Sequence, residues 1–308
     1  MRISVGELKQ HLNSNLHNLL DQDSYEVSDE NAIDMLCTER FDIIAKIIYI
    51  KYSNRNLKNN FSEILYLNHI KALNNFVEYD RSGKIGKEEF VKTFTNLIHS
   101  VEERGFDKSF ILPINQSRII LDAAHRTSIA IVKNVFLKTI TLEYNVESFK
   151  FDYLFFRKRG MKEIDLDFMA LEYCLLKSDT RIVLIWPRAK GKNNEVEQLL
   201  REKCKIVYAK RLNLSKNGIY NLVKEAYRHE KWLGNNQNGY IGAASKGDSC
   251  YADDSELRIF LIETDSDLIQ IKKEIKKLNG FDLSDSSMIM ELAKKYLNWD
   301  DFTIVTAG

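Results

Sequence analysis

Three observations predict a mixed α/β protein with a helical N-terminal segment. Apolar residues recur at helical spacing from Val5 to about Val101. A β-favouring run, Ile119 to Leu121, leads through a polar turn into an apolar helix face at Ile129, Ala130 and Ile131. Beyond Phe151, apolar runs of strand length alternate with helical stretches, the pattern of an α/β layer.

The elements follow in order. Val5, Leu8, Leu12, Leu16, Leu19 and Leu20 predict one amphipathic helix within residues 1–35. Phe41, Ile44, Ala45, Ile48 and Tyr49 share a face of a second helix, Arg40 to Tyr52. A third runs from Ser62 to about Val77, and a fourth from Phe90 to Glu103, stopped by Gly105. Phe110 to Ile114 and Arg118 to Leu121 flank a hairpin turn at Asn115-Gln-Ser. A helix over Arg126 to Lys133 and a strand over Thr139 to Val146 complete the first half.

In the second half, Asp167 to Leu176 reads as a helix and Arg181 to Trp186 as a buried strand suited to parallel pairing, closed by Pro187. Helices over Glu195 to Lys203 and Asn217 to Lys231 alternate with strands over Ile206 to Ala209 and Leu257 to Ile262, and two more helices reach Leu297. The predicted domains are 1–148 and 149–308. Two loops of the second domain carry groups suited to an anion or metal: Arg188 to Lys192 at a strand end, and the Gly/Asn-rich stretch from Trp232 to Gly242, with Lys246 and Asp248 beyond it.

Composition narrows the function. Against 45 basic residues stand 44 acidic ones, so no global field recruits nucleic acid or an anionic membrane. The most apolar segment, Phe41 to Ile50, is too short to span a bilayer and is broken by Lys46, and no apolar leader follows Met1. Cys37, Cys174, Cys204 and Cys250 are widely spaced with no zinc-ligand pattern, as expected of reduced thiols in a cytoplasmic protein.

The chemistry centres on Asp122-Ala-Ala-His125-Arg126. A strand-to-helix turn offers unpaired N–H groups and a helix dipole beside a cation and an imidazole, which suits a phosphate. Asp122 could hold a metal ion or orient a hydroxyl. The same residues could instead be structural, with Asp122 capping the helix and His125 and Arg126 pairing on the surface. Upstream, Glu78 to Glu89 resembles a calcium-binding EF-hand loop, with Glu78, Asp80 and Ser82 at ligand positions, Gly83 at the turn, Ile85 at the apolar position and Glu89 at the bidentate one. Against it, Glu opens the loop where Asp is usual, and there is no second loop to pair with. A solvated connection between two helices fits the stretch as well.

Together with Phe90, Phe94, Leu97, Ile98, Val101, Gly105, Phe106 and Pro113-Ile114, the Asp-x-x-His-Arg turn resembles the ParB/sulfiredoxin superfamily over residues 76–142, and in particular its small-molecule kinases. The superfamily's usual Gly after the Asp is Ala123 here. The resemblance implies a nucleotide-dependent phosphotransferase using ATP or another nucleoside phosphate with magnesium. Ala124, His125, Arg126 and Thr127 would hold the phosphates, Asp122 the metal, and Glu78 would be the base on a substrate hydroxyl, with Glu89 as the lesser candidate. Arg40-Phe41-Asp42, Tyr66 to His69 and the Trp232 loop also resemble proteins associated with bacterial surface-polysaccharide genes, which would make the small-molecule acceptor a sugar, polyol or glycan precursor. A ParB-like nucleotide switch or DNA-binding module is the alternative, although the basic helix-turn-helix domain it needs is missing from the downstream pattern. A calcium-binding protein built on loop 78–89 is the other. Sulfiredoxin-like chemistry needs a cysteine beside the turn, and residues 76–142 contain none.

Overall fold

The computed structural model describes residues 1–53, 60–78, 83–144, 150–177, 180–185, 193–214, 255–264, 270–271, 273–274 and 304–307. These form a mixed α/β protein of two units, Met1–Leu176 and Lys177–Gly308. The predicted boundary at 148/149 therefore moves to Leu176. Helices α6 (Tyr153–Lys158) and α7 (Glu163–Leu176) belong to the first unit because their partners do. Tyr173 packs on Phe41, Glu172 pairs with Lys51, Asn68 donates to Asp165 (2.9 Å), and Arg159 donates to the carbonyls of Ala72 and Leu73 (3.2 Å each).

The predicted single helix over residues 1–35 is instead a string of short pieces. Strand β1 (Arg2–Ser4) leads into α1 (Val5–His11) and a 3-10 turn (Ser14–Leu19). Strands β2 (Ser24–Glu26) and β3 (Ser28–Asn31) follow, then a second 3-10 turn (Ala32–Met35). Side-chain caps start each helical piece anew: Ser4 accepts from Glu7 N–H, Asn13 from Asn15 N–H and Asn31 from Ile33 N–H. Leu8, Leu12 and Leu16 are nevertheless buried as their spacing predicted.

The central sheet of the first unit has the order β3-β5-β4, from β4 (Ile111–Asn115) and β5 (Phe136–Leu142), with β4 parallel and β3 antiparallel to β5. Residues alternate across β5. Ile140 and Leu142 join Ile111, Leu121, Leu8, Leu12 and Tyr25 in one core cluster. A second cluster gathers Tyr49, Tyr66, Ile70, Phe90, Phe94, Ile98 and Ile129 from helices α2 (Asp42–Tyr52), α3 (Phe61–Asn74), α4 (Lys87–Arg104) and α5 (Ala124–Lys133). Helix α2 is buried from Asp42 through Tyr49 on every side, as a helix apolar nearly all round must be. The Asn115 turn forms as predicted: Asn115 Oδ1 accepts from Ile119 N–H (2.8 Å), and Ile114 bridges Ile120.

The second unit carries a sheet of order β7-β8-β6-β9, from β6 (Arg181–Ile185), β7 (Lys205–Leu214), β8 (Ser255–Glu263) and β9 (Ile304–Ala307). Strand β6 forms as predicted and lies between β8 and β9, but it is parallel only to β9 and antiparallel to β8. Helix α8 (Asn193–Lys203) contributes Val196 and Leu200 to a core with Phe260, Ile262 and Ile271. The predicted helix Asn217 to Lys231, the later helices apart from residues 270–271 and 273–274, and the loops Arg188 to Lys192 and Trp232 to Gly242 with Lys246 and Asp248 lie outside the described residues.

Candidate active site

The hairpin arm returning from Asn115 delivers Leu121, whose N–H donates to the Pro113 carbonyl (3.0 Å), and the chain then turns at Asp122. Ala123 adopts the left-handed conformation, φ 63° and ψ 34°, before α5 begins at Ala124. The backbone at this position requires φ > 0. A Cβ at such a φ costs about 1 kcal/mol. Ala123→Gly should therefore stabilise the protein by about 1 kcal/mol, read as a raised urea midpoint at unchanged m-value. An unchanged or lowered midpoint would contradict the strained turn.

The surface-pairing reading of the motif does not describe the geometry. Ala123 occupies the N-cap position of α5 with no side-chain capping bond, and the Asp122 carboxylate accepts from Ala123 N–H (2.5 Å). His125 and Arg126 diverge instead of pairing with each other. His125 Nε2 lies 2.9 Å from the Tyr66 hydroxyl, whereas the exposed Arg126 guanidinium stacks over the Phe110 ring, 4.9 Å from its centroid. Thr127 is fully buried and its hydroxyl donates to the Ala123 carbonyl (3.1 Å), so it serves the helix and does not face a ligand. Among the predicted phosphate contacts, the start of α5 at Ala124, the His125 imidazole and the Arg126 guanidinium remain.

Behind the turn lies a buried charge network that sequence reasoning did not assign. Arg40 grips Asp42 through two bonds, Nε to Oδ1 (2.8 Å) and Nη2 to Oδ2 (3.0 Å), and its Nη1 donates to the Ile120 carbonyl. Lys46 Nζ donates to Asp42 Oδ2 (3.0 Å) and to the Asp42 carbonyl (3.2 Å), and lies 3.3 Å from His69 Nε2. An ammonium can only donate, so His69 Nε2 accepts and its Nδ1–H points to the Tyr66 carbonyl (3.3 Å). Arg40, Asp42, Lys46 and His69 are each at most 4% exposed. Burial would raise the Asp42 carboxyl, but Arg40 and Lys46 outweigh it and hold the group well below the usual carboxylate range. Burial, then Lys46, push His69 well below the usual imidazole range. The available signal was Lys46 and Asp42, four residues apart in the otherwise apolar run from Phe41 to Ile50.

Before α4, the described residues on either side of 79–82 pair with each other. Glu78 N–H donates to the Lys84 carbonyl (2.9 Å), Val77 bridges Ile85, and the Lys84 ammonium pairs with the Glu78 carboxylate. The Glu78 charge acts on Lys46 and Tyr66, Lys84 acts on His125, and Asp122 acts on Arg40. Glu78 and Asp122 thus each act, as minor contributions, on a charge of the same network. Burial first, then Lys46 and Lys84, push the half-buried His125 well below the usual imidazole range, so it is neutral at pH 7. Glu89, the lesser base candidate, accepts from Ile85 N–H (2.8 Å) at the start of α4, in the manner of a capping box. Of the EF-hand-like loop, residues 79–82 lie outside the described residues.

Three further features bound the chemistry. A cavity of about 460 Å³, lined by Phe106, Phe110, Phe136 and Lys138 among others, shares Phe110 with Arg126. The half-buried Cys37 thiol is pushed up to about 12 by desolvation and then by Glu39, which removes it as a thiolate nucleophile. Among the described residues no three His, Cys, Asp or Glu side chains converge as a metal site, and no helix is long and apolar enough to cross a membrane. A magnesium ion held by one carboxylate and phosphate oxygens needs no such cluster. No protein-family model, curated protein or solved structure matches this chain.

Proposed function

We propose that the first unit is a nucleotide-dependent phosphotransferase acting on a small hydroxylated metabolite such as a sugar, polyol or glycan precursor. The observation that carries this reading is the turn itself: left-handed Ala123 opens α5 with no side-chain cap, Asp122 precedes it, and the exposed Arg126 guanidinium stands in its first turn. The start of α5 and Arg126 would bind the phosphates, and Asp122 suits magnesium, which when bound neutralises phosphate charge. The aromatic cavity beside Arg126 has the size and walls for a nucleobase. Glu78 would take the proton of the acceptor hydroxyl as that oxygen bonds to the terminal phosphorus and the bond to the nucleoside diphosphate breaks.

A nucleotide-binding switch without transfer would use the same turn, and the Lys84 pair already on the Glu78 carboxylate favours it. The two readings part at Glu78. Thermal shift with ATP, ADP, CTP and GTP, each with and without magnesium, should show one nucleotide adding about 2.7 kcal/mol at a hundred times its Kd, with the effect lost in Arg126→Ala. Glu78→Gln should keep that shift and lose phosphoryl transfer in an acceptor screen. No shift with any nucleotide would end the phosphotransferase reading, and transfer surviving in Glu78→Gln would end the assignment of the base.

A further inference from the structure

The two ring nitrogens of His125 meet different surroundings. Nε2 lies 2.9 Å from the Tyr66 hydroxyl, while Nδ1 has no hydrogen-bond partner among the described residues, and the residue as a whole is half-buried. Phe94 and Tyr66 meet the ring edge to face, with centroids at 4.5 and 6.0 Å, and fix its plane.

The direction of the Tyr66 bond follows from its burial. Tyr66 is fully buried, and its hydroxyl has no other hydrogen-bond partner among the described residues. If Nε2–H were the donor, the phenol proton would be enclosed without an acceptor, which carries a desolvation cost. Tyr66 therefore donates and Nε2 accepts, which leaves the single proton of a neutral imidazole on Nδ1. The Tyr66 main chain is itself held, since its carbonyl accepts from His69 Nδ1–H (3.3 Å).

We propose that Tyr66 is a positioning residue that locks His125 as the Nδ1–H tautomer, so that the imidazole presents a neutral N–H donor to a phosphoryl oxygen at the start of α5. The nature of that oxygen rests on the phosphotransferase reading, whereas the tautomer rests on geometry alone. A donor of this kind stays in the same protonation state across neutral pH, so the site's charge does not change with small shifts in acidity.

The test uses the full chain, labelled with ¹⁵N, and long-range ¹H–¹⁵N spectra of the imidazoles, with His125→Gln to assign the signals. The wild type should show His125 protonated on Nδ1. Tyr66→Phe should yield a mixture of tautomers and raise the Kd for magnesium-ATP about tenfold, the loss of one hydrogen bond to a charged ligand. A merely structural tyrosine would leave the tautomer unmoved. Protonation on Nε2 in the wild type overturns the proposal, even should Tyr66→Phe fail to fold. So does a Tyr66→Phe protein with unchanged tautomer and affinity. The expected tautomers in a protein that binds no nucleotide would uphold the hold of Tyr66 on His125 and reject the phosphoryl ligand.

Discussion

Asp42→Ala should destabilise the protein by about 3–5 kcal/mol, because it leaves two buried cations facing each other without their shared anion. Arg40 and Lys46 both spend their charge on this carboxylate, and neither reaches solvent. The measurement is urea unfolding followed by circular dichroism. Replacing Arg40, Asp42 and Lys46 together by apolar residues of similar volume should cost far less than the single change, since burying a salt bridge gains little net energy. A single variant as stable as the wild type would show that water reaches the network.

Acidification should produce the second large effect. His69 and His125 both have folded-state pKa values well below the unfolded value of about 6.5, so the unfolded chain takes up protons first as pH falls. Their contribution is fully present above about pH 7 and is lost as pH falls below about 6.5. The slope is about 1.4 kcal/mol per pH unit for each imidazole, or about 2.7 for both. Asp42 acts in the same direction lower down: its depressed carboxyl stabilises above the unfolded value and that support is lost below about pH 4. Urea midpoints between pH 7.5 and 5 should fall steeply in the wild type and about half as steeply in His125→Gln. A flat profile would mean that both imidazoles protonate in the folded state.

The local periodicities that make helices and strands were largely legible in the sequence. Strand β6, helices α2, α3, α4 and α5, and the Asn115 turn lie where spacing placed them, within a few residues. The N-terminal helix was misread because Ser4, Asn13 and Asn31 restart the backbone through side-chain caps, a short-range competition that apolar spacing does not register. The domain boundary was misread because α7 is tied to α2 and α3 by Tyr173, Glu172 and Asp165, contacts between segments far apart in the chain. At the site, Asp122, His125, Arg126 and Glu78 could be singled out as residues. Tyr66 and His69 could not be assigned roles, because a hydrogen bond across 59 positions leaves no periodic trace. The strain at Ala123 was foreseeable from the turn type, and φ 63° fits it.

The bond from Arg40 to the Ile120 carbonyl has a further consequence for local unfolding. The guanidinium links the first turn of a helix buried from Asp42 through Tyr49 to the hairpin arm two residues before Asp122. Fraying of the Asp122 turn would have to release that carbonyl and, with it, one of the contacts that satisfy a buried cation. The turn's opening free energy is thereby raised toward that of the helical core, and what looks in sequence like a loop-borne motif unfolds with the interior.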